Sequence, residues 1–183
     1  QNLELPEYRT RYRTHRELRG RPAGEVLPAV KAWVLDREPG AEDYEQRLLE
    51  GLWVTWGQNA LDQELMEECL QAKDFRVRAA AVQALRYGAH QINKQAALLN
   101  IAAADPHPRV RMMALVAGTW LPEDSGRMVL GTVEQYPVED WMKKVVEAAP
   151  KHLTGEGLKV SKGSEIIVNH LKGDDLAQFS AGW

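Results

Sequence analysis

The sequence predicts an all-α fold, an α-solenoid of about five helix pairs, and three observations carry that prediction. The stretches "RVRAAAVQAL" at 76–85 and "RVRMMALVAG" at 109–118 open alike and lie 33 residues apart. Apolar residues recur at helical spacing behind each anchor, as a buried helix face requires. Strict apolar-polar alternation never outlasts a few residues, and the apolar runs carry Ala, Leu, Glu and Gln, so no strand is expected. A helix pair of about 33 residues cannot bury its own apolar face and must stack on its neighbours.

The central residues of the repeated triplets set the register. Val77 and Val110 are 33 apart; one step back from Val77 reaches Tyr44, flanked by Asp43 and Glu45, and a further 32 residues back lies Tyr12, flanked by Arg11 and Arg13. Four residues past the anchors stand Arg16, Leu48, Ala81 and Ala114, and eight past the last three stand Leu52, Leu85 and Gly118. In the first unit, "YRTRYRTHRELRGR" reads as a solvated helix with Tyr8, Tyr12, His15 and Leu18 on one buried face, followed by "GEVLPAVKAWVLD" at 24–36. In the second, "GLWVTWGQNALDQ" leads into "ELMEECLQAKD". In the third, "ALRYGAHQINKQ" leads into "AALLNIAAAD". In the fourth, Pro122 stops one helix and Asp124 or Ser125 can cap the next, "RMVLGTVEQ". Residues 1–183 read as a single domain whose last unit, about 151–183, is less regular.

Composition excludes several classes. With 183 residues and 44% apolar content the chain can bury a sizeable core or a row of small ones. A net charge of -3 and a pI near 6.0 exert no general pull toward nucleic acid or an anionic membrane, although residues 1–21 hold six arginines against three glutamates. No apolar run approaches the roughly 18 residues a membrane span needs. The chain starts at Gln1 without a signal-peptide pattern, which reads as a processed product or a piece of something longer. A single cysteine, Cys69, excludes an intrachain disulfide and a CxxCH haem attachment within these residues and reads as an ordinary buried helix residue.

In a stacked array, residues at one register form a column. Arg11/Arg13, Asp43/Glu45, Arg76/Arg78 and Arg109/Arg111 should therefore lie side by side, the acidic unit supplying carboxylates to both neighbours, with Asp74 and Asp105 in reach of the last two. The expected result is an ion-pair ladder that sets stacking register, each exposed pair contributing about 0–1 kcal/mol. The sharper reading is an anion site at Arg109 and Arg111, at a helix start. Trp53 and Trp56, three apart on one helix face, are either inter-helix packing or a contact surface.

Catalytic and cofactor motifs fail on inspection, and neither a cofactor nor a metal is expected. "GLKVSKGS" at 157–164 approaches a phosphate-binding loop but transposes Lys162 and Gly163. The histidines at 15, 90, 107, 152 and 170 never adopt the spacing that puts two ligands on one helix face, and His107, between Pro106 and Pro108, reads as a turn residue. Glu67 and Glu68 are adjacent and point apart; Asp174/Asp175 after Gly173 read as a helix cap. No Ser, Cys or Thr sits in a nucleophile motif.

The pattern D-P-x-P-R-V-R-x-x-A at 105–114 is closest to a HEAT repeat. Together with "TRYRTHRELRGRPAGEVLPAVKAWV" and "EQRLLEGLWVTWGQNALDQELMEECLQAKDFRVRAAAVQALRYG", it resembles the HEAT-repeat region of large bacterial multidomain proteins known especially from planctomycetes. The resemblance covers about residues 8–150, with "EIIVNHLKGDDLAQF" matching loosely beyond. It implies a parent in which a sugar-dehydrogenase-like β-propeller precedes the repeats and a c-type cytochrome domain follows. It further implies an exported, periplasmic location and a scaffold role for this segment, docked on other domains of its own chain or on another protein. The family's haem ligands and propeller active site have no counterpart here, so the segment itself is expected not to be an enzyme. The alternative is a nucleic-acid-binding HEAT-like solenoid using the basic, aromatic-interleaved first helix, although an exported protein rarely meets nucleic acid.

Overall fold

The computed structural model describes residues 2–156, and these are all-helical, with no strand among them. Nine α-helices run in order: α1 (Tyr8–Arg19), α2 (Ala23–Leu35), α3 (Tyr44–Gly57), α4 (Gln63–Leu70), α5 (Phe75–Tyr87), α6 (Gln95–Ala103), α7 (Pro108–Gly118), α8 (Glu123–Val133) and α9 (Asp140–Leu153). Short 3-10 turns cover Asn2–Glu4 and Ala89–Gln91. The second helices expected in the first four units are α2, α4, α6 and α8. "GLKVSKGS", Asp174/Asp175, His170 and most of the less regular last unit lie outside the described residues.

Helix boundaries follow from capping chemistry. The Asp62 carboxylate accepts from the Leu65 N–H at 3.0 Å, and Asp74 accepts from the Arg76 N–H at 2.8 Å, so α4 and α5 begin where a carboxylate satisfies an orphan donor. At α7 the ring of His107 takes that place, its Nδ1 accepting from the Arg109 N–H at 3.2 Å, and it lies flat on Phe75 at 3.6 Å. His107 is thus the cap of the helix rather than a mere turn residue. Neither Asp124 nor Ser125 caps α8, because the helix already starts at Glu123 with Pro122 before it, placing both inside the first turn.

The anchor positions are core. Val77 and Val110 are buried, as are Leu48, Ala81 and Ala114 four residues on and Leu52, Leu85 and Gly118 eight residues on. Each odd-numbered helix packs on the next odd one, α1 on α3, α3 on α5, α5 on α7 and α7 on α9, while α2, α4, α6 and α8 each pack on a following odd helix. The core is one cluster that includes Leu52, Met66, Leu85, Leu99, Leu115 and Val129. Where α8 meets α7 the backbones touch: a Cβ added at Gly126 would fall 2.8 Å from the Gly118 carbonyl oxygen and 2.3 Å from Leu153. Only glycine permits that approach.

The first helix departs from expectation. No residue of α1 is buried; Tyr8 and Tyr12 are 69% and 50% exposed, and only His15 and Leu18 of the expected face turn inward. The periodicity is real, but the tyrosines stand at the mouth of a groove against α3 rather than beneath it.

Candidate interaction surface

The repeated arginines are structural clamps first. Arg78 donates from Nη1 to the carbonyls of Ala72 and Lys73, both at 2.8 Å, and Arg111 does the same to Asp105 and Pro106 at 2.9 and 3.1 Å. Arg11 repeats the geometry on Leu5 and Pro6 at 2.7 Å each. In every case the acceptors lie six and five residues upstream, so one guanidinium satisfies the carbonyls of the loop that enters its own helix. Arg11, not Arg13, is therefore the counterpart of Arg78 and Arg111. The first unit's register moves by two residues from the Tyr12 alignment.

The same position reaches forward to the next loop. Arg78 forms a bidentate pair with Asp105, Nε to Oδ2 at 2.6 Å and Nη2 to Oδ1 at 2.9 Å, and Arg111 donates to the Pro137 carbonyl at 2.9 Å. Glu45, at this register in the second unit, inverts the polarity: its carboxylate accepts the N–H groups of Lys73 and Asp74.

This geometry corrects the ladder. Asp43 and Glu45 do not pair with Arg11/Arg13 or Arg76/Arg78. Asp43 is taken by Arg37 at 3.1 Å and Arg47 at 3.2 Å, which are nearer along the chain, and Glu45 is aimed at backbone donors. Arg76 pairs within its own unit, with Asp74 at 2.6 Å; that hydrogen bond holds the Asp74 carboxyl below the usual carboxylate range. Asp105 serves Arg78 with its carboxylate and Arg111 with its carbonyl. Among the described residues Arg13 and Arg109 have no ion pair. An anion site at Arg109 and Arg111 is not formed, because Arg111 is 4% exposed, spent on three carbonyls, and seated over the Tyr136 ring at 5.3 Å.

Replacing Glu45 by Ala should remove the acceptor for two loop N–H groups and lower stability by about 1–2 kcal/mol. The urea midpoint reads this directly. A midpoint equal to the parent's would show that the α3-to-α5 tie contributes nothing.

Two buried charged groups were invisible to pattern reading. Arg47 bonds the Trp33 carbonyl at 2.9 Å, lies over the Trp33 ring at 4.9 Å, and pairs with Glu4, tying α2, α3 and the N-terminal turn together. Glu50 holds α1 to α3: Oε1 receives Arg11 at 2.9 Å and Gln46 at 2.7 Å, and Oε2 meets the His15 ring at 2.6 Å. Their one sequence signal is a charge at each end of Leu48-Leu49, where a solvated face would not place it.

Above Glu50 opens a groove of ≈ 630 Å³ between α1 and α3, walled by Tyr8, Tyr12, Arg16, Arg19, Trp53 and Trp56. Trp53 and Trp56 pack on the core and also face the groove, half-buried, with ring centroids 5.3 Å apart. Arg16 and Arg19 are exposed and have no ion pair among the described residues. The groove thus has a neutralised polar floor, aromatic walls and a cationic rim.

Elsewhere the chemistry is quiet. Cys69 is fully buried, and burial pushes its thiol up to about 12, far from a reactive thiolate. Glu67 and Glu68 point apart, to Gln63 and to the Tyr44 hydroxyl. Among the described residues no cluster of three or more His, Cys, Asp or Glu side chains is placed to hold a metal, and no helix is long and apolar enough to cross a membrane.

Fold and surface define the class: an all-helical protein whose odd-numbered helices form a row and present an arginine- and aromatic-rich groove. No family model, curated protein or solved structure matches the chain.

Proposed function

We propose that this chain is a non-catalytic helical-repeat module, an α-solenoid of HEAT-like pairs that docks or spaces the other domains of a larger exported protein. The observation that carries the reading is the division of labour among its arginines. Arg11, Arg78 and Arg111 are consumed in clamping loops, which makes the array stiff, while Arg16 and Arg19 are left on an aromatic-walled rim. A stiff frame with tryptophan, tyrosine and arginine on show fits a docking surface, where those residues concentrate binding energy. On the resemblance to propeller, repeat and cytochrome proteins, the docked domains would be dehydrogenase-like and haem-bearing, and the parent an oxidoreductase.

The nucleic-acid reading gains from one observation: Tyr8 and Tyr12 are exposed beside unpaired arginines rather than buried. Titrating the 183-residue chain by calorimetry with the separately purified flanking domains of its parent, and with duplex and single-stranded oligonucleotides at two salt concentrations, separates the two. Saturable binding of a flanking domain supports the scaffold. Salt-steep oligonucleotide binding with no domain binding refutes it.

A further inference from the structure

A second set of aromatic and basic side chains continues the groove along one edge of the molecule. The carboxyl-terminal ends of the odd-numbered helices carry Trp56 on α3, Arg86 and Tyr87 on α5, Trp120 two residues past α7, and His152 on α9. They touch in sequence. Trp56 stacks on Tyr87 with centroids 5.9 Å apart and planes 13° from parallel. The Arg86 guanidinium lies over Tyr87 at 5.0 Å and over Trp120 at 5.2 Å, and Trp120 meets His152 at 6.0 Å. Tyr87 and Trp120 are 33 residues apart, the repeat spacing, so these two members of the ribbon come from one register.

Beyond Trp56, which packs on the core, the ribbon stands in water. Tyr87 is 55% and Trp120 67% exposed, an apolar surface spanning the third and fourth units. Arg86, like Arg16 and Arg19 at the Trp56 end, has no ion pair among the described residues. A guanidinium held over two rings keeps its edge N–H donors pointing outward with little entropy left to lose, the arrangement that binds carboxylates in a fork.

We propose that this edge, from the α1/α3 groove to Trp120, is the docking site for an extended acidic polypeptide segment. The inference rests on reading the chain as a docking module and names the chemistry of what docks. Carboxylates of the segment meet Arg16 or Arg19 at one end and Arg86 in the middle, while its apolar side chains lie on Trp56, Tyr87 and Trp120. The steps of 5.9, 5.0 and 5.2 Å from Trp56 through Tyr87 and Arg86 to Trp120 are spanned by about five residues of extended chain at roughly 3.3 Å each. Charge complementarity favours such a partner locally, since Arg16, Arg19 and Arg86 have no ion pair among the described residues and residues 1–21 hold six arginines against three glutamates. Along the ribbon nucleic acid fits less well. The faces of Trp56 and Tyr87 cover each other, and Arg86 covers Tyr87 and Trp120, which leaves exposed ring edges for apolar side chains but few faces for bases to stack on.

The test uses the full 183-residue chain and three fluorescent probes read by anisotropy at low salt: a ten-residue peptide alternating Glu and Leu, its Lys/Leu counterpart, and a single-stranded 20-mer oligonucleotide. The acidic peptide should bind with Kd on the order of 10–100 μM, weaken about tenfold in Arg86→Ala and in Trp120→Ala, and weaken again as salt rises. Both side chains are surface groups, so the variants should melt with the parent; Arg86→Lys, which keeps charge but not the fork, should fall between. Equal binding of the acidic and basic peptides, or acidic-peptide binding unmoved by both alanine variants, overturns the proposal. So does oligonucleotide binding that these variants abolish while the peptide fails to bind. Flanking-domain binding that survives in Arg86→Ala and Trp120→Ala would leave the docking module standing and remove this edge from it.

Discussion

Val110→Asp should lower the stability of the chain by about 4–5 kcal/mol and its melting temperature by about 10–15 °C. Val110 is fully buried in α7, the helix that packs on α5, α6, α8 and α9, so the site has no route to solvent. The loss has two parts: the transfer energy of the valine side chain, about 1.5–3 kcal/mol, and the cost of either desolvating a carboxylate or holding it protonated. The second part fixes a sign. A carboxyl buried without a partner has its pKa raised in the folded state, so the penalty is greatest at neutral pH and shrinks as pH falls below the raised value. Val110→Ala, which has only a cavity cost, should be milder and independent of pH. Thermal melts of both variants at pH 7 and pH 5 check this, and an Asp variant that melts with the parent would remove Val110 from the core.

Much of the helix layout was legible because the 33-residue repeat and the apolar spacing at Val77, Leu85, Val110 and Ala114 report burial directly, and burial dominates helix placement. The role of the arginines was half legible. Their repetition showed that they matter, but a column drawn on the sequence assumes that side chains at one register meet, whereas Arg11, Arg78 and Arg111 turn back along their own helices to loop carbonyls. Backbone acceptors have no residue code, so pattern reading pairs arginine with carboxylates instead. Asp43 illustrates the error: Arg37 and Arg47, which lie outside the repeated triplets, capture it. The tyrosines of α1 failed for another reason. Helical periodicity identifies a common face, but cannot tell a face beneath a neighbour from one that rims a groove. Glu50 and Arg47 were missed because a buried ion needs its partners to be seen, and those lie 35 and 43 residues away. The Tyr87 and Trp120 pair was legible in principle, being one repeat apart.

Asp105→Ala is expected to cost about 3–4 kcal/mol, several times what the exposed pairs of the same column contribute. Asp105 is 8% exposed and Arg78 12%, so their bidentate pair is shielded from water at the junction of α5 with the loop entering α7. Removing the carboxylate leaves Arg78 with only the carbonyls of Ala72 and Lys73, and strips the His107 N–H of its acceptor at 2.7 Å. An enclosed guanidinium without a counter-charge and an unpaired N–H at a helix cap are both expensive. The Arg76–Asp74 pair is the internal control, with similar chemistry but Arg76 77% exposed. Asp74→Ala loses a helix cap and a solvated pair, and should cost about 1 kcal/mol, partly screened at high salt. The Asp105 penalty should persist in salt. Adding Arg78→Met to Asp105→Ala removes the stranded charge, so the double variant should be more stable than the sum of the two single losses by at least about 1 kcal/mol. Urea denaturation of Asp105→Ala, Arg78→Met, their double variant and Asp74→Ala at 0.05 M and about 1 M salt measures every term. Strict additivity would mean that the pair does not couple the third unit to the fourth, and that stacking register is set by apolar packing alone.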